Sequence, residues 1–331
     1  MRWTALLASA LIAGSAGAGA AQRCAPTSDE RAWVENSLAA SGYIMTQRLH
    51  LPPDPQPTII VFNDKCRFEL PEGSSKWVAE PHGGKVRLLK SHTIDAGVTS
   101  FASRDDDTGQ RFFVMALPSV WIANKAATPG DPGITAVFLH EFSHTRHMQA
   151  LKPLFEAAAK QFKPPDDFDD DSLQAHFKAD PVYVAAYEKE DDLLYRAAAE
   201  PDPGKARELA KQALDLFDAR QKRFFTGADA MWKPYDDLFL TMEGFGQWNA
   251  YAWLADQKGG GMTTDAAREK MRGKRHWWSQ EEGLGLFLVI DRFVPNWAAE
   301  AFGSNPKLGI DLLREAVTAP VSEAAAPVHQ R

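Results

Sequence analysis

Asp131-Pro-Gly-Ile-Thr-Ala-Val-Phe-Leu-His140-Glu-Phe-Ser-His-Thr-Arg-His-Met-Gln-Ala-Leu151 is the stretch whose reading decides the fold. Asp131-Pro132 forms an N-cap and first-turn pair, which predicts a helix from Gly133 to Leu151. Val137, Phe138 and Leu139 make the turn before the motif apolar, so one side of this helix is expected to be buried. His140 and His144 are four apart and fall on one helical face, about 6 Å from each other. Their imidazoles can meet one Zn2+ at about 2.0–2.1 Å. Glu141 lies about 100° round the helix from His140. From there it reaches a water on the metal without being a ligand, as a general base must. The plainer reading is two helix histidines satisfied by hydrogen bonds. His147 lies one turn further along the same face, about 10 Å along the axis from His140 and too far to share its metal. It is expected to be a surface histidine or one that supports a ligand.

Working outward, the chain changes character at this helix. Upstream, Ser28 can cap a helix through Ala32, Val34 and Leu38. Pro57-Thr-Ile-Ile-Val-Phe62 is β-branched, apolar and bounded by turn residues, hence a strand. Val86–Leu89 and Val98–Phe101 are weaker strands. Arg111–Ile122 is a long strand-like run in which Pro118 demands an edge position or a break. As an edge just before the His-Glu helix, it would suit β-augmentation by an extended peptide. Downstream the chain reads as helical at Pro181–Ala199, Pro203–Phe225, Tyr235–Asp256, Thr264–Arg272 and Glu281–Ala301. The fold class expected is α+β: a small N-terminal mixed sheet with an edge strand before the HExxH helix, then a predominantly helical C-terminal part. The expected divisions are 22–132 and 133–319, with an Ala/Pro-rich disordered tail at 320–331.

Composition narrows the function classes. The 331 residues are 44% hydrophobic and 24% charged, which fits a folded chain rather than a disordered one. A net charge of −7 argues against nucleic-acid binding and against a polybasic membrane anchor. Residues 1–21 combine Arg2, an apolar run from Thr4 to Ala13, and Ala/Gly cleavage sites. They read as a signal peptide cleaved near Ala20 or Ala21, which makes the protein periplasmic or secreted. No membrane span is expected in the mature chain, since Leu284–Ile290 is cut off by Asp291 and Arg292. Cys24 and Cys66 both follow the signal, and two cysteines in an oxidising compartment suggest one disulfide. It would close a loop of about 42 residues and contribute roughly 4 kcal/mol in the chain-entropy model.

A catalytic zinc site needs a third protein ligand and an open position. Position 150 is Ala150, so the metzincin pattern fails. Leu240-Thr-Met-Glu-Gly-Phe-Gly246 resembles the apolar-x-Asn-Glu-Gly-Phe-Ala element of gluzincin zinc peptidases, the aminopeptidase-like branch of the thermolysin-type clan. The resemblance covers two blocks, 137–147 and about 239–251. It implies a zinc peptidase in which Glu243 is the third ligand. Glu190, in Tyr187-Glu-Lys-Glu-Asp-Asp-Leu-Leu-Tyr195, lies within the clan's range of spacings and is the alternative third ligand. Its bland reading is a solvated acidic face formed with Glu188, Asp191 and Asp192. Glu282 repeats the Glu-Gly signature and is a third option.

Other signals are weaker. Trp248, Trp253, Trp277, Trp278 and Trp297 either fill the core or line a cleft. The Asp167–Asp171 run lacks the glycine turn and terminal glutamate of a calcium loop, so a solvated linker is expected. The function expected is an exported zinc metallopeptidase with a peptide or protein substrate and Glu141 as general base. The alternatives are a non-catalytic periplasmic metal- or partner-binding helical protein, and a zinc hydrolase of non-peptide amides.

Overall fold

A computed structural model describes residues 24–318 apart from 90, 91, 106, 166 and 167. The expected signal peptide and the tail at 320–331 lie outside these residues. The described residues form an α+β fold with eleven α-helices and a small mixed sheet. α1 (Ser28–Tyr43) is closed at its start by a capping box between Thr27 and Glu30. The strands follow as β1 (Thr58–Phe62), β2 (Cys66–Leu70), β3 (Val78–Pro81), β4 (Lys85–Arg87), β5 (Thr93–Asp95), β6 (Ser100–Arg104) and β7 (Arg111–Ala116). After them the chain is helical: α2 (Pro118–Ala123), α3 (Pro132–Phe162), α4 (Ser172–Phe177), α5 (Pro181–Ala199) and α6 (Pro203–Phe224). α7 (Trp232–Ala255), α8 (Thr264–Arg272), α9 (Trp278–Phe293), α10 (Trp297–Ala301) and α11 (Gly309–Thr318) complete it.

Five strands make one sheet in the order β3-β2-β1-β7-β6, and β4 pairs with β5 in a separate ribbon. β1 and β7 run parallel; the other pairs are antiparallel. β1 is buried on both faces, and period-two alternation sorts its side chains. Ile59 and Val61 join Phe113 and Met115 in the main core with the helices. Ile60 and Phe62 join Phe112 and Val114 in a smaller core that also holds Val86 of β4. The Cys24–Cys66 disulfide ties the segment before α1 to β2. The main core runs from Val34 of α1 through the sheet and α3 to Ala316 of α11, so one apolar cluster spans both expected divisions.

Several boundaries differ from the sequence reading. The run Arg111–Ile122 is not an edge strand. β7 ends at Ala116, and Pro118 starts α2, where its fixed φ and missing N–H suit the first turn. β7 is paired on both sides, because the weak Val98–Phe101 signal becomes β6 and covers its outer side. The sheet edges are β3 and β6, so the expected docking edge does not exist at β7. α3 continues past Leu151 to Phe162, with Pro153 inside it. An interior proline costs about 3 kcal/mol, but Leu151, Leu154, Phe155 and Ala158 pack against Tyr235, Leu238 and Phe239 of α7. The expected helix Glu281–Ala301 is two, α9 and α10, interrupted around Pro295. Among the described residues no helix is long and apolar enough to cross a membrane.

Candidate metal centre

Two faces of α3 do different work. Phe138 and Phe142 stack on one side and meet Phe113 of the sheet, with ring centroids 4.7 and 5.5 Å away. His140, His144 and His147, about half a turn round, are buried on the side that packs against α7. The sheet therefore anchors the helix and α7 closes over its histidines. Asp131 caps α3 by accepting a hydrogen bond from the Gly133 N–H at 2.8 Å.

The Nε2 atoms of His140 and His144 lie 3.1 Å apart. Glu243 of α7 approaches both: Oε2 is 3.1 Å from His140 Nε2, and Oε1 is 3.4 Å from His144 Nε2. All three side chains are buried. One ligand atom each from His140, Glu141 and His144 fall within 4.8 Å of one another, so these residues could together hold a metal ion. Burial holds both imidazoles down at a pKa of about 4, so they are neutral at pH 7 and offer lone pairs. Burial pushes the Glu141 carboxyl well above its usual range, and the nearby charges of Glu243 and Asp170 push it further. Glu243 is also raised by burial, against the pull of His144 and with a further push from the Asp171 charge. The chemistry of the donor set fits a divalent ion: two neutral nitrogen donors and a carboxylate converge on one point. The Nδ1 atoms of both rings are buried with no hydrogen-bond partner among the described residues.

The block Glu243-Gly-Phe-Gly246 owes its two glycines to close packing. A Cβ on Gly246 would sit 2.8 Å from Cε1 and Nδ1 of His140 and 3.0 Å from Cε1 of His144. The rings thus lie directly on the α7 backbone. A Cβ on Gly244 would come within 2.5 Å of the Gly283 carbonyl, so α9 crosses α7 at backbone contact beside Glu243. A cavity of about 410 Å³ reaches His140 and Glu141. Its wall includes Trp121, Val137, Met271 and Trp277.

The other sequence-predicted residues lie elsewhere. Glu190 and Glu282 are buried, but both are held by Arg220: Nε is 2.5 Å from Glu190 Oε1 and Nη2 is 3.0 Å from Glu282 Oε1. Asp236 joins them at 3.3 Å. The acidic face 188–192 is therefore not wholly solvated, since Glu190 and Asp191 point inward, Asp191 toward Arg272 and Arg275. His147 is not at the surface. It is fully buried between Phe245 and Phe302, and burial drives its pKa to about 3. Of the tryptophans, Trp248, Trp278 and Trp297 are core, whereas Trp277 is 45% exposed on the cavity wall. Part of the aspartate run is not a solvated linker: Asp170 and Asp171 are half-buried, and burial and the Glu243 charge raise Asp170 to about 7. Asp167 lies outside the described residues. Gln280, on the cavity wall, escaped sequence reasoning. Gly246 and Asp170 fell inside stretches the sequence singled out, the Glu-Gly-Phe-Gly block and the aspartate run, without being assigned to the centre.

Compared with known proteins, the chain matches no family model, no curated protein and no solved structure.

Proposed function

We propose that this protein is an exported zinc-dependent hydrolase of peptide bonds. One observation carries the reading: His140, His144 and Glu243 converge from two helices within 3.4 Å, with Glu141 beside them on the wall of a cavity. In this reading His140, His144 and Glu243 hold the zinc, which leaves a fourth position open. When bound, the ion acidifies water and polarises a carbonyl. The rest falls to the chain. Glu141 accepts the attacking water's proton and returns it to the leaving amine, so the proton count closes. A raised carboxyl pKa suits that task, because a stronger base near the working pH transfers the proton more readily. The cavity gives the substrate access to Glu141 and His140. Peptide as the substrate rests on the gluzincin resemblance of the two sequence blocks. The Cys24–Cys66 disulfide supports an oxidising compartment and hence export.

The test is metal analysis together with hydrolysis of a peptide and amide panel by wild type and Glu141→Gln. Both proteins are expected to hold one zinc. The variant should lose about 10²–10⁴-fold in rate, the usual worth of a general base. A purified wild type that takes up no zinc, or a variant as active as wild type, rejects the reading. Cleavage of simple amides without peptides would move the substrate class, and zinc uptake with no hydrolysis would favour a metal-binding module.

A further inference from the structure

Trp277 and Trp278 are neighbours in the chain with opposite fates. Trp278 is buried and stacks on Tyr183 and Tyr187, with ring centroids 5.9 and 4.6 Å away. Trp277 has extended backbone (φ −124°, ψ 106°), and its ring stands on the wall of the cavity that reaches His140 and Glu141. There it is 45% exposed. The other large apolar side chains so exposed among the described residues are Val78, Val98 and Val182, none of them on this wall. The indole meets the ring of His276, the residue before it, at 4.3 Å.

The backbone around Trp277 is held on both sides. One amide, that of Gln174 on α4, donates to the His276 carbonyl at 3.1 Å and accepts from the Trp278 N–H at 3.0 Å. Just upstream the chain passes through three left-handed residues in succession, Gly273, Lys274 and Arg275, with φ of 59°, 59° and 61°. Residues with a Cβ avoid this region, and they persist there only where the surroundings over-determine them. Here Arg272 pairs with Asp191, Asp192 and Glu281. The Arg275 N–H donates to Glu281, and its guanidinium pairs with Asp192. Trp278 already anchors the start of α9 in the core, so docking of the helix does not call on the ring of Trp277. What the frame fixes in addition is where that ring stands.

The rest of the cavity decides what the ring can meet. Trp121, Ile134, Val137 and Met271 share the wall with it. Lys270 and Asp131, also on the wall, pair with each other at 3.3 Å, and Asp131 caps α3 besides. With those charges mutually satisfied, the wall away from His140 and Glu141 favours an apolar side chain over an ionic one. An exposed indole offers an aromatic ring an offset-stacked or edge-on partner, which is worth more than the buried area alone.

We propose that Trp277, held at the cavity by Gln174 and the left-handed turn before it, is a specificity-determining residue: the platform on which an aromatic side chain of the peptide substrate stacks. The proposal rests on the peptide-hydrolase reading above and names the class of side chain that reading leaves open.

The experiment uses three alanine peptides capped at both ends, carrying one central Phe, one central Leu or neither. Zinc-loaded protein in the Glu141→Gln background, which should hold the peptide without cleaving it, is titrated calorimetrically. The same peptides give kcat/KM in the wild-type background. In each background Trp277→Ala, Trp277→Phe and Gln174→Ala are compared with their parent. The parent should bind the Phe peptide most tightly. Trp277→Ala should weaken that peptide roughly 2–12-fold, the worth of one aromatic pair, and leave the alanine peptide and the thermal midpoint unchanged. Trp277→Phe should keep the preference, and Gln174→Ala should lose part of it. A parent that binds the Leu peptide as tightly as the Phe peptide overturns this inference alone, as does a Trp277→Ala variant with the parent's Phe-over-Ala ratio. A wild type that takes up no zinc, or neither binds nor cleaves any of the three, overturns the peptide-hydrolase reading and this inference with it.

Discussion

Two groups of buried carboxylates flank α7, and they are completed differently. In one, Arg220 reaches Glu190, Asp236 and Glu282 from the protein's own chain. In the other, Glu243 faces two neutral imidazoles, and among the described residues no lysine or arginine pairs with it. The first holds its counter-charge permanently. Burial opposes the Arg220 charge, but Glu190, Glu282, Tyr183 and Asp236 outweigh it and lock the proton on. In the second, imidazole lone pairs and a carboxylate converge without a cationic side chain of the described residues. An acidic residue in the interior is thus not a metal ligand by virtue of burial; the partner opposite decides. Glu190 and Glu282 looked like ligands in the sequence, and an arginine 30 and 62 positions away claims them.

Removing the internal counter-charge should have the largest effect. Arg220→Met leaves three buried carboxylates without their cation and is expected to cost about 3–5 kcal/mol or more. His140→Ala in the metal-free protein should cost less, on the order of 1–3 kcal/mol. Denaturant unfolding of both variants measures this, and equal losses would erase the contrast. Next, Glu243→Ala should lose zinc affinity beyond the 10–100-fold expected of a merely supporting contact. Glu190→Ala should keep its zinc and lose stability instead. Isothermal titration with zinc separates them, and the reverse result would move the ligand to α5.

Metal removal acts on one cluster only. At free zinc one hundred times its Kd, binding should stabilise the protein by about 2.7 kcal/mol, a gain abolished by chelator. Thermal melts with and without chelator read it, and it should vanish in His144→Ala but persist in Glu190→Gln.

The two clusters should also respond oppositely to pH in the metal-free protein. Burial raises Glu190 from 4.5 to about 7, so the folded state keeps a proton that the unfolded state has lost. Its contribution is present below pH 4.5 and disappears as pH rises toward 7, at up to about 1.4 kcal/mol per pH unit. His140 and His144 are lowered from 6.5 to about 4, so their contribution is present above pH 6.5 and fades as pH falls toward 4. Stability against pH for Glu190→Gln and His140→Ala, each minus wild type, should therefore slope in opposite directions. Parallel slopes would contradict the assignment of charge to the two clusters.

The sequence alone determined what local patterning controls. Asp131-Pro132 marked the start of α3, and the four-residue spacing of His140 and His144 put them on one face. The β-branched run 58–62 became β1, and Cys24 and Cys66 formed their disulfide. These follow from short-range sterics, helical period and cysteine count. What the sequence did not determine was who meets whom over long separations. Its strand at Arg111–Ile122 lost its edge because a segment with little apolar signal, Ser100–Arg104, paired beside it. Its solvated face at 188–192 turned half inward because buried Arg220 and the partly exposed Arg272 and Arg275 lay across the fold. The resemblance pointed to Glu243, but only the packing of α7 on α3 put that carboxylate 3.1 Å from His140, 103 residues earlier in the chain. The reason is physical: a helix period fixes which face a side chain occupies, whereas the charge or ring opposite that face depends on how distant helices pack.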